Sequence, residues 1–120
     1  MSSHAQSVTI HPYFQIHAGK TAEFLANLED FKARTATEET CLYYNFTLNG
    51  DLAFCREAYV DGDAALAHIV NVDGPLTRAL ELSTMVRLEL HGPAEELDKM
   101  RGTLTGPEVS WFVYQTGLEK

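Results

Sequence analysis

Residues 51–70, DLAFCREAYVDGDAALAHIV, read as one strand running into one helix, with polar groups placed at the join. Residues 52–60 are rich in apolar and aromatic types and contain no Pro or Gly. Asp61-Gly62-Asp63 then punctuates, and helix formers follow from Ala64. Strand alternation puts Ala53, Cys55, Glu57 and Tyr59 on one face and Leu52, Phe54, Arg56, Ala58 and Val60 on the other. A carboxylate beside a phenol on an apolar strand is a group that burial would shift into acid–base use. Glu57 and Arg56 suit cross-strand ion pairs on a half-solvated sheet equally well. On the helix, Leu66, Ile69 and Val70 share one side, and at about 100° per residue His68 lies roughly opposite their mean direction. His68 therefore has two readings, a solvated surface imidazole or one that faces a cleft.

The flanking segments supply the rest of a small α+β plan. Upstream, 8–17 alternate Val8, Ile10, Phe14 and Ile16 against Thr9, His11, Tyr13, Gln15 and His17, a first strand. Pro12 cannot donate to a ladder, so it belongs where its nitrogen faces no partner, or at a bulge. From Thr21 to Arg34, Phe24, Leu25, Leu28 and Phe31 form the stripe of an amphipathic helix. The next strand, 41–48, puts Leu42, Tyr44, Phe46 and Leu48 on one face and Cys41, Tyr43, Asn45 and Thr47 on the other, and Asn49-Gly50 signals a hairpin into the 52–60 strand.

Downstream, Leu76, Ala79, Leu80 and Ser83 mark a short helix. Residues 84–91 alternate with Val86, Leu88 and Leu90 inward. Pro93, Glu95 and Glu96 then open a helix that buries Leu97, Met100 and Leu104. The last strand, 109–115, is apolar on both faces, so it is expected to be central in its sheet or to reach into a partner. The order β-α-β-β-α-α-β-α-β describes a ferredoxin-like fold, an antiparallel sheet with helices on one face.

With 120 residues and 45% apolar content, the chain fits a single domain spanning 1–120 with a core of about 8–116. The net charge of −8, with Lys and Arg scattered, argues against nucleic acid and anionic membranes as partners. No apolar run approaches the roughly 18 residues of a membrane span. The start, MSSHAQSVTI, lacks a basic and an apolar leader region, so a cytoplasmic location is expected.

A two-residue turn at Asn49-Gly50 puts Cys55 opposite Tyr44 and leaves Cys41 on the other face; a three-residue loop puts Cys55 opposite Asn45, four positions or about 13 Å along the strand from Cys41. Bridging needs Cα atoms within roughly 7 Å, so two free thiols are expected.

GxGxxG, GxxxxGK[ST], CxxC, HExxH and GxSxG are absent, and His4, His11, His17, His68 and His91 lack metal-ligand spacing. No metal site and no cofactor are expected. The chemistry left open is a buried pocket that deprotonates an acidic organic substrate, which then reacts by itself.

CLYYNF at 41–46, the run Phe54-x-x-Glu57-x-Tyr59-x-Asp61, and Ala65-Leu66 followed by His68 resemble the antibiotic biosynthesis monooxygenase (ABM) domain family, with Tyr59 where that family usually has Trp. The resemblance covers about residues 8–116 and implies a dimeric α+β barrel, two sheets packed face to face with helices outside and a pocket in each protomer. It further implies a homodimeric, cofactor-independent monooxygenase that oxidises a quinol-like or polyphenolic small molecule. On that reading His68 takes or relays the phenolic proton, Glu57 and Tyr59 orient it, and Tyr44, Asn45 and Trp111 shape the substrate pocket. The family's haem-degrading branch is disfavoured, because the chain offers Pro12, His68 and Arg78 where that branch wants Asn, Trp and an iron-ligating His. The alternatives are a non-catalytic small-molecule-binding or orphan dimeric protein of this fold, and an isomerase.

Overall fold

The structure is a computed structural model that describes residues 4–120, so part of the N-terminal stretch read for a leader, and the side chain of His4, lie outside the described residues. After a single 3-10 turn, His4–Gln6, come β1 (Val8–Ile16), α1 (Thr21–Thr35), β2 (Cys41–Asn49), β3 (Leu52–Tyr59) and α2 (Gly62–Asn71). They are followed by α3 (Asp73–Leu82), β4 (Ser83–Gly92), α4 (Ala94–Asp98) and β5 (Val109–Val113). The sheet order is β2-β3-β1-β4-β5, the ferredoxin-like α+β arrangement with one strand added. No helix among the described residues is long and apolar enough to cross a membrane.

Strand β1 is the axis of the sheet, and its strict alternation buries Val8, Ile10, Phe14 and Ile16 under the helices. Pro12 pairs with Leu88 on the β4 side. On the β3 side the ladder steps from Ile10 opposite Glu57 to Tyr13 opposite Phe54. The missing N–H of Pro12 coincides with that gap, which opens the ladder beside Cys55 and Glu57.

Several expectations change. The sheet is mixed, because β5 runs parallel to β4, and β5 lies at the edge of the sheet with Phe112 41% exposed. Its two-sided apolar character therefore does not come from a central position. The register of β1 with β4 shifts between Tyr13 and Phe14, so Val86 bulges outward, 50% exposed, and Met85 packs inward in its place. The hairpin loop is Gly50-Asp51 rather than Asn49-Gly50. Asn49 pairs with Leu52, and Gly50 holds the positive φ of 61° that a turn beginning with Gly requires. Cys55 consequently faces Phe46.

A second irregularity between Cys41 and Tyr43 sets Cys41 opposite Tyr59, on the inner face. Both cysteines are free, and Cys41 sits opposite a residue four positions along β3 from Cys55, about 13 Å away.

Helix α2 begins at Asp61, whose Oδ1 accepts the N–H of Ala64 at 2.8 Å. It buries Gly62, Ala64, Ala65 and His68, while Val70 is exposed. Counting large apolar residues suggested the Leu66, Ile69 and Val70 side instead. Small residues prevail because they let the helix approach its neighbours, α4 among them, closely. At Gly62 an added Cβ would sit 2.4 Å from the carbonyl oxygen of Glu96.

Two apolar clusters result. One is built on Val8, Ile10, Tyr59, Leu90, Leu97 and Met100, the other on Phe14, Phe24, Phe31, Ala53 and Leu82, and Met85 touches both. The sheet's other face carries rings in contact: Tyr13 with Phe54 at 4.8 Å, His11 with His91 at 4.5 Å, and His91 stacked on Phe112 at 4.4 Å.

Candidate active site

Between the two clusters, on the helix-covered side of the sheet, lies a hollow of about 70 Å³. At roughly 10–15 Å³ of such space per water, that holds a handful of waters. Its walls are side chains such as Phe14, Phe31, Ile69, Met85 and Leu104, and Tyr44, Glu57 and His68 border it.

Each polar group arrives for a local reason. Glu57 is on the inner face of β3 by strand alternation, and His68 lies one turn beyond Ala64 and Ala65 on the sheet side of α2. Both are buried, at 4% and 3% exposure. Burial of a carboxyl and an imidazole is costly without partners, and the structure supplies them in a chain. The Tyr59 hydroxyl donates to Glu57 Oε1 at 2.6 Å. The same oxygen lies 3.3 Å from His68 Nε2. On the other side of the ring, His68 Nδ1 lies 2.9 and 3.1 Å from the two oxygens of Glu38. Asn71 Nδ2 donates to Glu38 Oε2 at 2.8 Å and to the carbonyl of Arg34 at 2.9 Å, which ties the 36–40 loop to α2. The imidazole is held between two rings, Tyr59 at 4.8 Å and an edge-on Tyr44 at 5.2 Å.

Electrostatics follow from this enclosure. Burial raises the Glu57 carboxyl to about 7, with the nearby Glu38 charge adding to it and hydrogen bonds from Tyr59 and Cys55 working against it. Burial lowers the His68 imidazole below its usual value, opposed by the hydrogen bond and charge of Glu38. Burial and the Glu57 charge push the hydroxyls of Tyr44 and Tyr59 up and out of the physiological range. The Cys41 thiol rises to about 11 for the same first reason, helped by the charges of Glu38 and Glu57.

A carboxylate at Glu38 that accepts Nδ1–H leaves Nε2 as an acceptor, so His68 faces Glu57 with a lone pair and Glu57 in its protonated form can donate to it. The 3.3 Å contact is then a hydrogen bond between neutral groups rather than an ion pair. Such a pair can accept a proton and hold it on a group that titrates near neutrality.

Of the residues expected to form the site, His68 and Glu57 edge the hollow together with Tyr44, and Tyr59 stands behind Glu57 as its hydrogen-bond donor. Asn45 and Trp111 lie elsewhere. Asn45 pairs with Arg56 on the exposed face of the hairpin, and Trp111 on β5 packs against the Leu90–Leu97 side of the core under the guanidinium of Arg101, 4.7 Å above its ring. Neither edges the hollow, because alternation turns Asn45 outward and β5 is separated from the hollow by β4. Glu38 and Asn71 were not anticipated. A histidine on the packed side of a short helix demands a polar partner, and that was the one available hint. No group of three or more His, Cys, Asp or Glu suited to a metal ion occurs among the described residues.

No family model matches the sequence, and no curated protein matches it. Solved structures do. MupZ from Pseudomonas fluorescens is 36% identical, with 96% of this chain and 95% of that one aligned at a TM-score of 0.90. A Caulobacter crescentus protein described as a candidate antibiotic biosynthesis monooxygenase shares 20% identity over 71% of this chain and 87% of that one, with a TM-score of 0.65. SnoaB from Streptomyces nogalater, a cofactor-independent oxygenase, shares 19% over 71% of this chain and 90% of its own, with a TM-score of 0.63. The likeness to the latter two is one of fold.

Proposed function

We propose that this chain, which is 36% identical to MupZ and shares the fold of a candidate antibiotic biosynthesis monooxygenase, is a cofactor-independent monooxygenase that deprotonates a quinol-like small molecule in the hollow beside His68. The observation that carries the reading is the buried chain Tyr59–Glu57–His68–Glu38 at the edge of an otherwise apolar hollow. A phenolic hydroxyl directed at the Glu57–His68 pair would lose its proton to it. A group titrating near the working pH is best suited to that task, and such a transfer contributes about 10²–10⁴-fold. The anion left among Phe14, Phe31 and Met85 is poorly solvated, and so gives up an electron to dioxygen more readily than it would in water. Recombination forms a carbon–oxygen bond. Collapse of the peroxide at a CH₂ carbon then leaves one oxygen as a carbonyl and releases the other as water with the two hydrogens. The reaction draws its four electrons from the substrate, so no cofactor enters the balance.

The reading makes the substrate mostly apolar, with its hydroxyl at one end, and the unbranched side chain of Met85 is the wall that yields to a larger ring system. A homodimer belongs to the same reading, supported by the ring-lined, helix-free face of the sheet where Tyr13, Phe54, His91 and Phe112 meet. SnoaB's being a cofactor-independent oxygenase of the same fold adds support.

One observation favours a second reading. A carboxyl near 7 can return a proton as readily as take it, which suits an isomerase. Oxygen uptake with a panel of quinols and anthrone-like CH₂ compounds tests the two together with anaerobic deuterium incorporation. Uptake that is lost in His68→Ala supports oxygenation. Exchange without uptake supports isomerisation, and neither activity points to a non-catalytic binder.

A further inference from the structure

The hollow has no second polar wall, so a proton taken up by Glu57 or His68 needs another way out. Cys55 and Tyr59 are both fully buried, and burial drives the thiol and the phenol away from proton exchange near neutrality. On the far side of His68 lies a separate, polar cleft of about 340 Å³, lined by Lys32, Thr35, Ala36, Glu38, Tyr43 and Tyr44 among others. Glu57 and His68 edge the hollow but not the cleft, Glu38 edges the cleft but not the hollow, and Tyr44 is the wall common to both.

We infer that Glu38 is the proton port of this site, passing protons between the imidazole of His68 and water in the cleft, while the substrate enters and leaves by the apolar side. The inference rests on the proposed function only in taking the His68–Glu57 pair as the acid–base centre.

Two features carry it. Glu38 keeps both oxygens within 3.1 Å of Nδ1, so a proton arriving at Nε2 can be matched by one leaving Nδ1 along a formed hydrogen bond. Its side chain is 10% exposed, against 4% and 5% for His68 and Glu57, so it is the member of the chain with the most contact with solvent. The groups facing His68 are Glu38, Glu57, Tyr44 and Tyr59, and among them Glu38 alone reaches the cleft as a carboxylate. Proton traffic is thereby kept apart from the apolar surroundings that an oxygen-sensitive anion requires.

The test uses the whole protein with ¹⁵N-labelled histidine and measures exchange of the His68 Nδ1 proton with water by magnetisation transfer near pH 7. Glu38→Gln keeps an acceptor for Nδ1–H and removes the ionisable group, so exchange should slow roughly tenfold or more while the ring shifts keep the Nδ1–H tautomer. A rate within about twofold of the native one overturns the port. Ala36→Trp, at an exposed position on the cleft wall, should slow exchange in the same direction and serves if Glu38→Gln does not fold; an unchanged rate there also overturns it. If no quinol is oxidised and exchange still slows, the port stands and the oxygenase reading falls. If quinols are oxidised and exchange ignores Glu38, the reverse holds.

Discussion

His68 Nε2 lies 3.3 Å from Oε1 of Glu57, and the same oxygen accepts the Tyr59 hydroxyl at 2.6 Å, so one buried carboxyl is shared between an imidazole and a phenol. That sharing makes the Glu57–His68 pair, rather than either residue, the unit that titrates.

Replacing His68 with Ala should abolish the proposed deprotonation, lowering oxygen uptake by about 10²-fold or more. It should also leave Glu38 and Glu57 without their common partner and cost on the order of 3 kcal/mol, read as a lowered urea midpoint. Full uptake by a folded variant would remove His68 from the mechanism.

The rate of the proposed reaction should rise with pH through a midpoint near 7, because the Glu57 carboxyl must be ionised to accept the proton. Tyr59→Phe deletes a hydrogen bond that holds the Glu57 carboxyl down, so its midpoint should move to higher pH. A profile unmoved by that change would separate the phenol from the titration.

Stability should carry the same signature with its own sign. The Glu57 carboxyl is raised from 4.5 in the open chain to about 7 in the fold, so the stability it allows is fully present below pH 4.5 and is lost as pH rises through 7. The loss is on the order of 3 kcal/mol. Glu57→Gln keeps an acceptor for Tyr59 and escapes this loss, so denaturant melts should find the variant gaining on the native protein between pH 4.5 and 7. His68, lowered by burial, acts oppositely by losing stability on acidification below 6.5.

Gly62→Ala tests the seating of α2, the helix that delivers His68. The new Cβ would fall 2.4 Å from the Glu96 carbonyl, a backbone atom with little freedom to move, while the Gly62 N–H already donates to Glu96 Oε1 at 2.9 Å. A loss of about 1–3 kcal/mol is expected, visible as a drop in thermal midpoint. An unchanged midpoint would mean that α4 shifts without cost.

Read from its residues alone, this chain determined its strands and helices and most of their inner faces, because those depend on spacing within one element. The alternation of Val8 to Ile16 dictates β1, the Phe24, Leu28 and Phe31 stripe dictates α1, and Asp61 marks the start of α2 by the cap it provides. That Glu57 and Tyr59 share a face with Cys55, and Tyr44 with Phe46, was legible for the same reason, but which of those faces turns inward was not. Tertiary structure alone decided what depends on two distant segments meeting. The irregularities at Leu42 and Val86 turn Cys41 and Met85 inward only because β3 and β1 impose their registers. The place of β5 at the edge, parallel to β4, is likewise a matter of pairing between strands. Glu38 comes from a loop with no periodic pattern and meets His68 across 30 residues, so its role is set by where the ends of α1 and α2 converge, a geometry that no local spacing encodes.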